Sequence, residues 1–123
     1  MIHSTSLPKA SGSAATARRS LECVRDEVSE RTLENARLLV SELVANAIEH
    51  VREEGEIELR ISFAGGRLRV EVLDPGPGFT PRQRSPDSDR GWELQYVDRL
   101  AASWGVDRED ERSRVWFELL SET

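Results

Sequence analysis

The sequence is poor in cysteine, in aromatic residues and in long apolar runs. Cys23 is the single cysteine among 123 residues, so neither a disulfide framework nor a cysteine zinc site can form within one chain, which indicates a reducing compartment. No stretch approaches the roughly 20 apolar residues of a membrane span, and residues 1–17 lack the apolar core of a secretory signal. These absences predict a soluble, cytoplasmic protein.

An excess of basic residues is also missing. The chain has 17 Lys and Arg against 23 Asp and Glu, which gives a formal net charge of −6. Because duplex DNA and anionic membranes are bound through clustered positive charge, we expect neither as a direct partner. With 37% hydrophobic and 33% charged residues, the chain can bury one core shared between two layers. A single domain over residues 1–123 is therefore predicted.

The first half of the chain predicts a strand, two helices and a hairpin. Residues 2–7 can form a short strand, and apolar residues three and four apart predict a helix over residues 14–28. A second helix begins at about Thr32, whose side chain can cap it. Strict alternation then predicts strands over residues 57–63 and 68–72, joined by a glycine turn into an antiparallel hairpin.

The second half predicts a loop, a helix and two strands. Residues 80–90 have no aliphatic or aromatic side chain, which is typical of a mobile loop. Apolar spacing predicts a helix over residues 94–104, followed by strands over residues 104–107 and 115–120 around a charged turn. This order predicts an α+β fold, a two-layer α/β sandwich whose mixed or antiparallel sheet has helices on one face.

Three polar residues of the second helix are spaced four apart. Glu42, Asn46 and His50 therefore form one row beside the apolar stripe. Asparagine is a poor helix former and an unpaired buried amide is costly, so Asn46 in mid-helix needs a reason. The row is either a solvated helix edge or, through its carboxylate and amide oxygens, a site for a metal ion and a phosphate.

A second group of candidate residues follows the hairpin. Asp74 leads into Gly76 and Gly78, where the lack of a Cβ lets the backbone approach a ligand, although such a segment alone is typical of a turn. Gly91 begins the last predicted helix, whose free N–H groups favour an anion. Arg90 precedes it and either meets a phosphate or is solvated.

These motifs resemble those of the histidine-kinase-like ATPases, which have the Bergerat fold, and in particular the small bacterial anti-sigma-factor serine/threonine kinases. The segment Ser41–His50 resembles the N box, Val72–Phe79 the first glycine box, Arg90–Leu94 a reduced second glycine box, and Val115–Leu119 the final strand. The resemblance implies an ATP pocket between the helices and a mobile lid at residues 80–90.

The resemblance also implies ATP and Mg²⁺ as cofactors and gives each residue a role. Glu42 would be the catalytic base that accepts the proton of a serine or threonine hydroxyl. Asn46 would be the Mg²⁺ ligand that bridges to the triphosphate. Asp74 would accept a hydrogen bond from the adenine amino group, while Gly76 and Gly78 would let the base lie against the backbone.

The second glycine box departs from the family pattern. Gly91 and Arg90 would hold phosphate oxygens, but Asp89 stands where many relatives have a glycine. Arg114 stands where relatives often place a threonine beside the nucleotide. Nucleotide affinity is therefore less firmly implied than the fold.

Two functions follow from this resemblance. The first is an ATP-dependent serine/threonine protein kinase that phosphorylates an anti-anti-sigma-type antagonist, and the alternative is a non-catalytic partner-switching module with weak or no nucleotide binding. Intact Glu42 and Asn46 favour the kinase, whereas Asp89 and Arg114 favour the module. The implied partners are a sigma factor and its antagonist, with homodimer formation a further expectation. A sensor histidine kinase is disfavoured, since no phospho-accepting histidine in a helical context precedes the N box.

Overall fold

The structure, a computed structural model, describes residues 2–50, 55–75 and 97–121. Within these residues, five strands form one antiparallel sheet in the order β1-β2-β3-β5-β4. The strands are β1 (Ile2–Leu7), β2 (Ile57–Ala64), β3 (Arg67–Asp74), β4 (Ser103–Glu109) and β5 (Arg112–Leu120). The helices are α1 (Ser13–Ser20) and α2 (Glu30–His50). The predicted α+β fold is thus confirmed, with an antiparallel sheet, whereas the predicted lid lies outside the described residues.

The core lies between α2 and one face of the sheet. Strand residues that face it alternate with half-exposed ones, as expected for strands with one covered face. The strand side of this core includes Leu59, Ile61, Val70, Val72 and Phe117, and the helix side includes Ala36, Leu39, Val40, Leu43 and Val44. None of the described helices is long and apolar enough to cross a membrane.

The helices differ from their predicted bounds at both ends of the connection between them. α1 ends at Ser20, and one 3₁₀ turn, Leu21–Val24, follows instead of a continuous helix to residue 28. The i,i+3 spacing of this 3₁₀ turn still buries Leu21 and Val24. The apolar pattern of the sequence therefore fits both a 3₁₀ turn and a continuous α-helix. α2 begins at Glu30, and Ser29 accepts a hydrogen bond from the Thr32 N–H at 3.1 Å. Ser29, not Thr32, therefore caps α2.

The predicted C-terminal end of the last helix is wrong. Residues 97–100 are helical, but Trp104 and Gly105 belong to β4. Gly105 pairs with Trp116 of β5, and a Cβ at Gly105 would lie only 2.8 Å from the Trp116 ring. Gly105 is thus needed for close packing within the sheet and does not end a helix.

Candidate functional site

A buried carboxylate and a buried hydroxyl meet at the end of β3. Asp74 is the last residue of β3 and pairs in register with Ser113 of β5. The Ser113 hydroxyl donates a hydrogen bond to Asp74 Oδ1 at 2.8 Å, and the two residues are only 4% and 2% exposed. Asp74 acts as an acceptor in this pair, so its carboxylate is suited to a ligand group that donates a hydrogen bond.

Sequence reasoning missed Ser113 and placed Arg114 beside the nucleotide instead. Arg114 lies on the opposite face of the sheet, where it donates to Asp107 at 2.7 Å and to Glu109 at 3.2 Å. Ser113 could have been predicted from the alternation of β5, because it lies on the same face as the buried residues Val115 and Phe117. The β5 residue beside Asp74 is therefore Ser113 and not Arg114.

Glu42 and Asn46 of the polar row on α2 are less exposed than a solvated helix edge. Asn46 is 9% exposed, and no hydrogen bond joins its amide to another residue in the described part of the chain. Glu42 is half-buried and likewise makes no hydrogen bond or ion pair with a described residue. His50 is the last residue of α2. Because most buried amides have a partner, Asn46 is the kind of group that a ligand would satisfy.

The C-terminal end of α2 and the end of β3 lie at the same end of the domain. Only residues 51–56 separate α2 from β2, and Glu58 near the start of β2 pairs with Leu73. Gly55 lies against Pro75, the residue after Asp74, since a Cβ at Gly55 would be 3.1 Å from Pro75 Cγ. Its φ of 138° is also a backbone conformation that favours glycine. The fold thus brings the α2 row and Asp74 to one edge.

The remaining predicted site residues are not described by the structure. Gly76, Gly78, Arg90 and Gly91 lie in the range 76–96, outside the described residues. Their roles in binding a base or a phosphate stay predictions.

The donor set at this edge fits a Mg²⁺–nucleotide better than a metal ion alone. Across residues 2–50, 55–75 and 97–121, no three His, Cys, Asp or Glu side chains form a group that could hold a metal ion. Mg²⁺ commonly takes one or two protein oxygens and completes its shell with water and substrate phosphates. The unpaired Asn46 amide oxygen can provide one such ligand, while Asp74 is suited to a hydrogen-bond donor on the rest of the ligand.

Comparison with known proteins identifies relatives of this arrangement. Residues 7–119 match the family model of the histidine kinase-like ATPase domain. A search of curated proteins gave no significant match. Among solved structures, the RsbU and RsbW domains of Rv1364c from Mycobacterium tuberculosis are similar, with a TM-score of 0.77 and 20% identity over 100% of this chain and 33% of that one.

Two structures of the blue-light activated histidine kinase EL346 from Erythrobacter litoralis are also similar. Its histidine kinase domain gives a TM-score of 0.60 and 23% identity, over 88% of this chain and 60% of that one. The other structure gives a TM-score of 0.62 and 25% identity, over 87% and 40%. This chain therefore spans less than two thirds of each of these solved structures, and the similarity concerns the fold.

Proposed function

Because this chain belongs to the histidine kinase-like ATPase domain family, we propose that it binds ATP with Mg²⁺ and acts as a serine/threonine protein kinase of the anti-sigma-factor type. Its substrate would be an antagonist protein of the anti-anti-sigma type, and phosphorylation would release that antagonist. A sigma factor would be the other partner, in the cytoplasm, and the active form would be a homodimer. The similarity to a structure that contains an RsbW domain supports this choice within the family.

The observation that carries the proposal is the buried amide of Asn46, which has no hydrogen-bond partner among residues 2–50, 55–75 and 97–121. A buried amide without a partner costs about 1–3 kcal/mol, so a helix position that keeps one needs a compensating function. Asn46 lies on the helix whose C-terminal end meets the end of β3, where Asp74 is buried. A bound Mg²⁺–ATP would give the Asn46 amide oxygen a partner and would place the adenine amino group at Asp74, which already accepts from Ser113.

Asp74, Asn46 and Glu42 have separate roles in the proposed reaction. Asp74, held by the Ser113 hydroxyl, accepts a hydrogen bond from the adenine amino group. Asn46 ligates Mg²⁺, which when bound offsets the negative charge of the triphosphate. Glu42, half-buried and without a partner among the described residues, accepts the proton of the attacking serine or threonine hydroxyl. The hydroxyl oxygen forms the new bond to the γ-phosphorus, and ADP leaves.

Arg114 no longer supports the alternative of a module without nucleotide. Its side chain is paired with Asp107 and Glu109 on the face of the sheet opposite Asp74. The alternative then rests on Asp89 alone, which lies outside the described residues.

Calorimetric titration of the purified protein with ATP, with and without Mg²⁺, tests the proposal. We expect Mg²⁺-dependent binding that is weakened at least tenfold by Asp74→Asn, because the amide can present a donor where adenine needs an acceptor. Asp26→Asn is the matched control, since this exposed carboxylate lies in the turn before α2, at the end of that helix away from Asn46. The absence of binding at millimolar ATP, or equal affinity in Asp74→Asn, would refute the assignment.

A further inference from the structure

Charged side chains of β2, β4 and β5 meet on the sheet face opposite α2. Arg112 of β5 donates to Glu58 of β2 at 2.6 Å, although β3 lies between these strands. Arg60 of β2 binds both carboxylate oxygens of Glu109 of β4, at 2.9 and 2.6 Å, across β3 and β5. Adjacent strands are about 4.8 Å apart, a spacing that long arginine and glutamate side chains can bridge, so these pairs link strands that share no backbone hydrogen bonds.

These four residues form one connected ionic cluster, which we call the clasp. Arg112 also donates to Glu109 at 2.9 Å, and Arg60 donates to Glu58 at 2.6 Å. Each arginine of the clasp thus bonds both carboxylates, which closes a ring of charges over β3. Hydrogen bonds from Arg60 and then Arg112 lower the pKa of Glu58 to about 2, so the carboxylate stays ionised at neutral pH.

The clasp lies directly behind the Asp74–Ser113 pair. Leu73 faces away from α2, because its neighbour Asp74 faces towards it, yet Leu73 is completely buried and is not part of the main core. Its register partners are Glu58 of the clasp and Arg114. The aliphatic stems of these charged register partners can cover Leu73 on this face.

Both backbone neighbours of Ser113 are fixed on this face as well. Arg112 belongs to the clasp, and Arg114 is held by Asp107 at 2.7 Å. The strand ends that carry Asp74 and Ser113 thus have ion pairs behind them that join β2, β4 and β5. A displacement of either strand end would change the 2.8 Å hydrogen bond between the two side chains.

We propose that the clasp of Glu58, Arg60, Glu109 and Arg112 is a positioning device that holds Asp74 and Ser113 in the geometry required for nucleotide binding. The inference rests on the proposed function, because it concerns how the same site is held. None of the four residues touches the ligand; they act through the backbone of β3 and β5. Loss of the clasp therefore lowers the affinity for nucleotide, whereas loss of an ion pair of similar strength elsewhere on this face lowers only the free energy of unfolding.

Two variants with opposite changes in charge test this role. Arg112→Met removes a positive charge and Glu58→Gln removes a negative one, and each breaks the ion pair between β2 and β5. A long-range charge effect on the anionic nucleotide would make these variants shift affinity in opposite directions. Loss of positioning weakens Mg²⁺–ATP binding in both, by about threefold to tenfold.

Arg69→Met is the matched control. Arg69 has a similar exposure to Arg112 and donates to Glu71 and Glu118 at 2.9 and 3.0 Å, but it lies near the other end of the sheet. We expect Arg69→Met to leave ATP affinity unchanged while lowering the free energy of unfolding by a similar amount. Arg112→Lys, which keeps the charge, should recover part of the affinity.

Amide hydrogen exchange gives a readout that does not need a ligand. Exchange in residues 72–74 and 113–115 should accelerate several-fold in Arg112→Met and Glu58→Gln, relative to residues 68–70 and 117–119 of the same strands. If the parent protein binds no ATP but the two variants show this local acceleration, the proposed function fails and the positioning of Asp74 and Ser113 by the clasp stands. Unchanged local exchange, unchanged ATP affinity in both variants, or affinity shifts of opposite sign would overturn the proposal.

Discussion

Replacing Asn46 should stabilise the protein and abolish its proposed ligand binding. Leucine has the same branched heavy-atom skeleton as asparagine but no polar atoms. Asn46→Leu removes a 9%-exposed amide that has no hydrogen-bond partner among the described residues. Removing this amide removes a free-energy cost of about 1–3 kcal/mol, and leucine also favours the helix by roughly 0.5 kcal/mol more than asparagine does.

We expect a gain in the lower half of this range of about 1–3 kcal/mol, because the larger leucine side chain fits less easily and because water near the site already offsets part of the cost of the amide. We therefore expect the free energy of unfolding to rise by about 1–2 kcal/mol, which corresponds to an increase in Tm of about 4–8 °C for a chain of this size. Urea unfolding gives the free energy, and calorimetry on the same samples gives the Mg²⁺-dependent ATP affinity, which should be lost.

A control and a second variant make this prediction refutable. Thr32 is also buried, but its hydroxyl accepts a hydrogen bond from Ser29 at 2.9 Å, so Thr32→Val should lower stability. Asn46→Ala avoids any overpacking and should cost less than an ordinary buried truncation, which is about 2–5 kcal/mol for a large aliphatic residue. A clear loss of stability in both Asn46 variants, with ATP binding retained, would show that the amide is structural.

Three further predictions concern catalysis, the Asp74 pair and pH. Glu42→Ala should leave the ATP affinity intact but abolish phosphoryl transfer to a protein substrate, measured with labelled ATP; equal loss of both would indicate a structural role. Ser113→Ala should lower the free energy of unfolding by about 1–2 kcal/mol, since a buried carboxylate loses a donor, whereas Ser113→Thr should retain most of it in urea unfolding. Arg60 and Arg112 lower the pKa of Glu58 from 4.5 to about 2. The contribution of these ion pairs to the free energy of unfolding is therefore fully present above pH 4.5 and is lost as the pH falls towards 2. Because solvent screens these partly exposed charges, the ion-pair contribution to the free energy of unfolding is about 1–2 kcal/mol. The difference in this free energy between the parent protein and Glu58→Gln should therefore shrink from pH 4.5 to about pH 2. A constant difference would contradict the ion pairing.

The sequence predicts the parts of this site that depend on local patterns. Glu42 and Asn46 could be singled out because polar residues four apart interrupt an otherwise apolar helix face. Asp74 could be singled out because a carboxylate ends an alternating strand. Their helix and strand are where the periodicity predicted them.

Features that depend on strand register could not be found in this way. The choice between Ser113 and Arg114 depends on which residue pairs with Asp74, and a shift of one residue exchanges the two faces of a strand. The clasp is further from prediction, because Arg60 and Glu109 are 49 residues apart and lie on strands that are not adjacent. Trp104 falls in both the predicted helix and the predicted strand that follows it, because a large apolar residue at that spacing fits either element, and the structure places it in β4.

The most direct test of the site is its choice between ATP and inosine triphosphate. The two nucleotides differ at the 6-position of the base, where ATP has an amino donor and inosine triphosphate has an oxygen, and at N1, which is an acceptor in ATP and carries a hydrogen in inosine triphosphate. If the buried Asp74 carboxylate receives that amino group, ATP should bind at least about a hundredfold more tightly, because the oxygen would face an acceptor that has lost its donor. Equal affinity for the two nucleotides in the same calorimetric titration would contradict the account.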